Sequence, residues 1–262
     1  MERDPDEGGR DVGRDAGRDL GDEPPAAIRD AAPDILSPID DSAPVSGHTP
    51  PPEARGSAVD SPEHDWGRAR DLVRPAFRPV GTTGLPIETI DRDSLAQHSM
   101  QSHAQPVLDT GPAELPLVYT IAAGGFDIIV NGDHLLSWGI EPSELQDAAM
   151  GNLTAWAANA PWSDETSGDR RVISSDTGDG LDAVRILLPD AVDHLARELG
   201  GDGRVLVGIP ERHLLVAATL RPEDAGFAAL FSEFVIEQSG GADEPVDRRL
   251  FELVDGRLVE FN

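Results

Sequence analysis

The sequence predicts an α+β domain, with a mostly antiparallel sheet, about three helices packed on one face, and a disordered arm at the N-terminus. Three observations predict it. Composition changes near Trp66: ten of the 22 prolines lie before it, and apolar residues become periodic only after it. Apolar stripes of helical spacing stand singly between pairs of short strands, the order expected when helices pack on an antiparallel sheet. The chain closes on two strands separated by Asp255-Gly256, a strong hairpin signal. The predicted organisation is therefore an acidic, Gly/Pro-rich arm over 1–65 and an α+β domain over 66–262.

The arm opens with a Gly-Arg-Asp-x repeat over 9–20. Glycine at every fourth position defeats a helix, and the alternating charges stay solvated. Residues 24–62 are rich in proline, alanine, serine and aspartate, which makes an extended linker. Within it Ile28, Ile35, Leu36 and Ile39 form a short apolar patch. Residues 72–90 read as irregular or edge-strand chain packed on the domain, and 91–113 as a polar loop. Leu115, Leu117, Tyr119 and Ile121 alternate as a half-buried strand does. Gly124-Gly125 turns the chain into a second strand, Phe126 to Val130.

Ser143 and Gln146 predict a capping box before a helix carrying Leu145, Ala149, Asn152 and Trp156 on one face. A short strand follows over 171–174. A helical stretch begins after Asp182, bent or restarted at Pro189, with Ala191, Leu195 and Leu199 as its stripe and Gly200-Gly201 at its end. Two strands, 204–209 and 213–219, flank Pro210-Glu211-Arg212. A third helix starts at Pro222, with Phe227, Leu230, Phe231 and Phe234 on its buried side, and stops at Gly240-Gly241. Strands over 249–254 and 257–261 complete the order ββαβαββαββ.

Charge narrows the function classes. The formal net charge is -28 and the pI about 4.3. The acids are not confined to the arm: 17 acids and six arginines lie before residue 66, 32 and 15 after it. Such a surface repels phosphate backbones and anionic membranes, so nucleic acid and lipid are not expected partners, and no basic patch stands out along the chain. All 21 basic residues are arginine, a bias that fits a GC-rich genome or adaptation to high salt. Without lysine there is no Schiff-base chemistry and no Walker-type P-loop. Without cysteine there is no disulfide, thiolate nucleophile or iron–sulfur cluster. The N-terminus has neither the basic nor the apolar region of a signal peptide, and no apolar run reaches the ~20 residues a bilayer span needs. A cytoplasmic location is the expectation.

The segments ELQDAAMGNL, DGLDAVRILLPD, VLVGIPERHLL and LFELVDGRLVEF occur in that order between residues 144 and 261. Their succession resembles the bacterial YtpQ family, a domain of unknown function, over about residues 70–262. The resemblance implies a fold and no established activity. The family's tyrosine and serine in the second segment are Leu181 and Val184 here, and its turn aspartate falls on His213.

The densest group of chemical side chains is Asp176, Asp179, Asp182 and Arg185 around Gly178 and Gly180. Three carboxylates this close could bind a cation, but the spacing is not that of an EF-hand. A structural role is simpler: Asp182 caps the helix, Gly180 permits the turn, and Arg185 pairs with a nearby acid. The G-x-G-x-x-A pattern in the same stretch lacks the βαβ order of a dinucleotide site, and its aspartates oppose phosphate. Asn152, on an apolar helix face, is expected to bond a neighbouring strand or loop. Arg212-His213, at a strand turn, could meet an anion. The other histidines are scattered, His194 is expected to face solvent, and no metal, cofactor or catalytic motif is present.

These features predict a non-enzymatic domain that binds a protein partner through the exposed side of its sheet or through Asp179–Arg185. The alternative is an enzyme or small-ligand binder using loop 176–185 with Arg212, which requires Asp179 and Arg212 to converge on one pocket.

Overall fold

A computed structural model describes residues 61–97, 103–124, 126–168 and 170–262. The expected arm lies outside the described residues, except for Ser61–Asp65. There Pro62–His64 forms a 3₁₀ turn, and Trp138 donates its indole N–H to the Glu63 carbonyl at 2.7 Å.

The strands of the described chain form two sheets, where the sequence order suggested one. The first contains β1 (Val73–Phe77), β2 (Leu85–Pro86), β3 (Val107–Thr110), β4 (Pro116–Ala122) and β5 (Asp127–Ile129). β1 runs antiparallel along one edge of β4, while β3 and β5 share its other edge. The second sheet is antiparallel throughout and contains β6 (Ser163–Ser167), β7 (Arg170–Ser175), β8 (Arg204–Glu211), β9 (Leu214–Leu220), β10 (Leu250–Val254) and β11 (Arg257–Glu260), in the order β11-β10-β8-β9-β7-β6. β6 has no apolar alternation, since Ser-Asp-Glu-Thr-Ser is exposed along its length, and tertiary pairing to β7 alone makes it a strand.

Two one-turn helices, α1 (Trp66–Ala69) and α2 (Arg92–Leu95), flank the first sheet. α2 and β3 replace part of the polar loop expected over 91–113, and Leu95 and Val107 are buried. α3 (Gly132–Trp138) was not legible in the sequence. Its N-terminus is a reciprocal cap in which Asn131 accepts the His134 N–H and His134 Nδ1 accepts the Asn131 N–H, both at 3.1 Å. A histidine in the role usually held by Glu or Gln hides the capping-box signature. α4 (Pro142–Ala157) starts ahead of the expected Ser143 box: Pro142 takes the first helical position, and Glu144 reaches back to the Glu141 N–H at 3.3 Å. Leu145 and Ala149 of α4 enter the first sheet's core with Val73, Tyr119 and Ile121, whereas Leu153 enters the second core with Phe77 and Leu117.

The α+β class and the antiparallel pairing are as the sequence predicts; the layering differs. α5 (Pro189–Leu199) and the 3₁₀ stretch Ala183–Leu187 cover one face of the second sheet, over Val205, Val207, Ile209, Leu215 and Ala217. α6 (Ala225–Gly241) covers the other, over Leu206, Val216, Ala218 and Leu220. Helices thus lie on both faces because β8 and β9 are apolar on both sides of the pleat, as a strand covered twice must be. Phe227, Phe231 and Val235 are the buried face of α6. Leu230 and Phe234, expected to join them, are 53% and 38% exposed. At the hairpin Asp255 and Gly256 both adopt positive φ, +49° and +75°, as the two central residues of a type I′ turn require.

Candidate functional site

The stretch 175–185 divides the predicted site residues between two environments. Asp182 is completely buried and accepts the Ser175 hydroxyl at 2.8 Å, the Thr177 N–H at 3.0 Å and the Thr177 hydroxyl at 3.1 Å. It does not cap a helix, as the sequence suggested: its own φ and ψ are helical and its side chain makes no capping bond. Its oxygens turn back on the strand end instead and close the loop 176–181.

Arg185, 4% exposed, donates to the carbonyls of Pro161, Ala160 and Ala157 and to the Ser175 hydroxyl at 3.0 Å. Its guanidinium lies 3.8 Å from the Trp162 ring centre, a cation–π contact. The expected direct pairing with an acid is replaced by a shared hydroxyl, Asp182–Ser175–Arg185. Burial pushes the guanidinium pKa down, and the charge of Asp182 opposes that shift. Leu181 and Val184 are buried in the same core.

On the outer side of Arg185 a groove of about 620 Å³ is lined by Trp162, His194 and the first turn of α5. His194 is half-buried rather than solvent-facing, its ring stacked on Trp162 with centres 5.0 Å apart. Burial holds its pKa below the ordinary value, with nearby arginines adding to the shift.

The second environment is a cleft of about 470 Å³ where the two sheets meet. On β1 and β4 successive side chains alternate, so Val73 and Ile121 face α4 while Arg74, with Ala122, Asp127 and Ile129 from the paired strands, faces the other way and lines the cleft. Arg78, just past β1, lines it too. From the second sheet's side come Asp179, Arg212 and Glu244.

Arg212 closes the cleft. It donates Nε to the Gly180 carbonyl at 3.1 Å, Nη1 to Glu244 at 3.1 Å and Nη2 to Asp127. Gly180 has φ +73°, and a Cβ there would lie 2.6 Å from Arg212 Nε, so this turn needs glycine both for its backbone and for the arginine laid across it. Glu244 also pairs with Arg78 at 3.5 Å. Asp179 accepts the Trp156 indole N–H at 3.0 Å. Phe126 stands at the mouth, 66% exposed.

The fold therefore brings Asp179 and Arg212 to one cleft, buries Asp182 with Arg185 beneath the loop, and keeps Asn152 apart. Asn152 donates its amide to the carbonyls of Arg70 and Val73, both at 2.8 Å, tying α4 to β1. His213 is half-exposed and lies 3.8 Å from Glu244. Among the described residues no group of His, Asp and Glu is arranged to hold a metal ion, and no helix is long and apolar enough to cross a membrane.

Arg74, Arg78, Asp127, Glu244 and Phe126 were not singled out in the sequence. A local cluster of three arginines forms on a strongly acidic chain from residues 74, 78 and 212, which no linear scan for basic patches brings together. The signals available were the arginine-rich stretch carrying Arg68, Arg70, Arg74 and Arg78, and an aromatic residue, Phe126, placed directly after the Gly124-Gly125 turn.

Comparison with family models, with curated proteins and with solved structures returns no match.

Proposed function

We propose that this is a cytoplasmic, non-enzymatic binding domain that recognises a protein partner through the cleft between its two sheets. What supports the reading is how the charges of the cleft are used. Arg212, Asp127, Glu244 and Asp179 are bonded to one another or to the frame, a paired polar rim rather than a set of groups free for proton or nucleophile chemistry. Beside that rim Phe126 offers a large exposed ring, the residue class that anchors protein interfaces. The resemblance to the YtpQ family belongs to the same proposal, since it carries a fold and no catalytic residues.

A second reading, a small-ligand binder, draws on the convergence of Asp179 and Arg212 on one cleft. Capture from native lysate separates the two. The tagged full chain is compared with Phe126→Ala and Arg212→Ala. A near-stoichiometric protein held by the parent chain and lost from both variants is the expected result. Identical captured sets from all three chains would remove the cleft as the recognition surface, and no captured protein on any of them would favour the small-ligand reading.

A further inference from the structure

We propose that the outer face of α6 is a docking surface for a basic amphipathic helix of a partner protein. That helix lays an apolar row over Leu230 and Phe234 and a row of lysine or arginine over Glu233 and Glu237. The inference concerns a second surface and stands independently of what the cleft binds.

A helix on a protein surface ordinarily turns a polar face to solvent. α5 does so, with Asp190, Asp193 and Arg197 among its exposed positions. α6 does not. Phe227, Phe231 and Val235 bury one side, while Leu230, Phe234 and Ile236 stand 53%, 38% and 48% exposed. Among the described residues no other element leaves as many large apolar side chains exposed. Phe234 is also held in place. Its ring stacks on buried Phe231, with centres 6.3 Å apart, and Phe231 stacks on Phe227 at 5.8 Å. A ring fixed in this way gives up little freedom when a partner covers it.

The rows of the helix define what fits. At a spacing of four residues, Gly226, Leu230 and Phe234 form one exposed row, and Glu233, Glu237 and Gly241 form the next. α6 contains no basic residue, and neither glutamate has an ion-pair partner among the described residues. Four residues apart on one face, the two charges repel each other. The acidic row runs on into a pocket of about 660 Å³ at the C-terminal end of α6, lined by Glu211, Glu237, Asp243 and Glu244 with His213. Of these acids only Glu244 is ion-paired among the described residues. The last turn carries no basic residue, so the negative end of the helix dipole adds to the same field.

Charge complementarity therefore selects the occupant. The arginines and acids of the cleft balance, whereas Glu211, Glu233, Glu237 and Asp243 have no counter-charge among the described residues. Cationic side chains on the partner supply it, and the apolar row beside them makes the fit more than a matter of charge. A second copy of this chain docked through the same face would set acid against acid and is disfavoured.

The test uses the full chain at 150 mM salt, where attraction to distant acids is screened beyond about 8 Å. The probes are labelled alanine-based helices of about 15 residues, the length at which such helices begin to hold in water. One carries a leucine row beside an arginine row. A second keeps the arginines and replaces the leucines by alanine. A third keeps the leucines and replaces the arginines by glutamate. Fluorescence anisotropy should show saturable binding of the first, binding at least about tenfold weaker of the second, and none of the third. Phe234→Ala should weaken the first about tenfold. Glu233→Gln with Glu237→Gln should weaken it about fivefold, the loss of two exposed ion pairs. Both glutamates are exposed, so their exchange tests the surface even where Phe234→Ala loses the fold. Asp190→Asn with Asp193→Asn, the same loss of charge on α5, should leave binding unchanged, as should Phe126→Ala.

No saturable binding of the leucine–arginine helix, equal binding of the helix without leucine, or an equal loss from the α5 and α6 charge pairs overturns the proposal. A dimer of the parent chain in sedimentation that Phe234→Ala dissociates assigns the face to a second copy and also overturns it. Loss of binding in Phe126→Ala would place the probe in the cleft, so that the α6 surface falls and the cleft reading stands. Binding that depends on Phe234 and not on Phe126 supports the α6 surface whatever lysate capture shows at the cleft.

Discussion

Arg185 and Arg74 are the same side chain put to opposite uses. Arg185 is sealed, with three carbonyls, one hydroxyl and an indole face around it, and a carboxylate one hydroxyl away. Arg74 stands on the wall of an open cleft with no acceptor among the described residues. The difference teaches that formal charge says little about role. The number of acceptors the fold brings within reach decides whether a guanidinium holds the structure together or is left to meet something else.

Substitution at the two arginines gives the largest contrast. Arg185→Ala leaves Asp182 buried without its positive neighbour and strips three carbonyls of their donor, so it should destabilise the chain by about 3 kcal/mol or more. Arg74→Ala removes no bond made among the described residues and should change stability by less than about 0.5 kcal/mol. Urea denaturation of both variants checks this. Equal losses would break the distinction between a sealed and an open arginine.

Gly180→Ala sharpens the boundary between the two environments. The added methyl is strained at φ +73° and collides with Arg212, yet touches neither Asp182 nor Arg185 at close range. It should cost about 1–2 kcal/mol in the same denaturation assay and displace the Arg212 Nε–H signal, while the Arg185 signal stays in place.

A smaller effect separates the two halves of the domain by pH. His134 Nδ1 accepts the Asn131 N–H, and burial holds the ring's pKa below the ordinary value near 6.5, against the opposing charges of Glu63 and Asp133. The unfolded chain therefore binds a proton that the folded chain refuses. Stability should fall as pH drops below about 6.5, until the folded ring itself protonates. His194, depressed in the same direction, adds to the slope from the second half. His134→Gln keeps an acceptor at the capping position and removes one titration, so it should flatten part of the decline between pH 7 and pH 5 in thermal melts. An unchanged slope would assign the whole effect to His194.

Much of the second sheet was legible in advance. Apolar runs on either side of Pro210-Glu211-Arg212 marked β8 and β9, Asp255-Gly256 marked the β10–β11 hairpin, and Pro189 and Gly200 bracketed α5. The first sheet was harder to read. Its strands are short and interrupted by proline, and α3 is capped through a histidine. Of the site, Asp179 and Arg212 were named as residues that had to converge, and they do, but Arg74, Arg78 and Phe126 were not.

Local order along the chain was enough for the α+β class, the long strands and helices, the acidic character and the exclusion of lysine and cysteine chemistry, because propensity, periodicity and turn geometry act between near neighbours. Division into two sheets, helices on both faces of the second, the turning of Asp182 away from a helix cap, and the meeting of residues 74, 78, 127, 179, 212 and 244 around one cleft are contacts between distant segments. Which apolar face covers which, and which carbonyls surround which guanidinium, is fixed only when those segments pack.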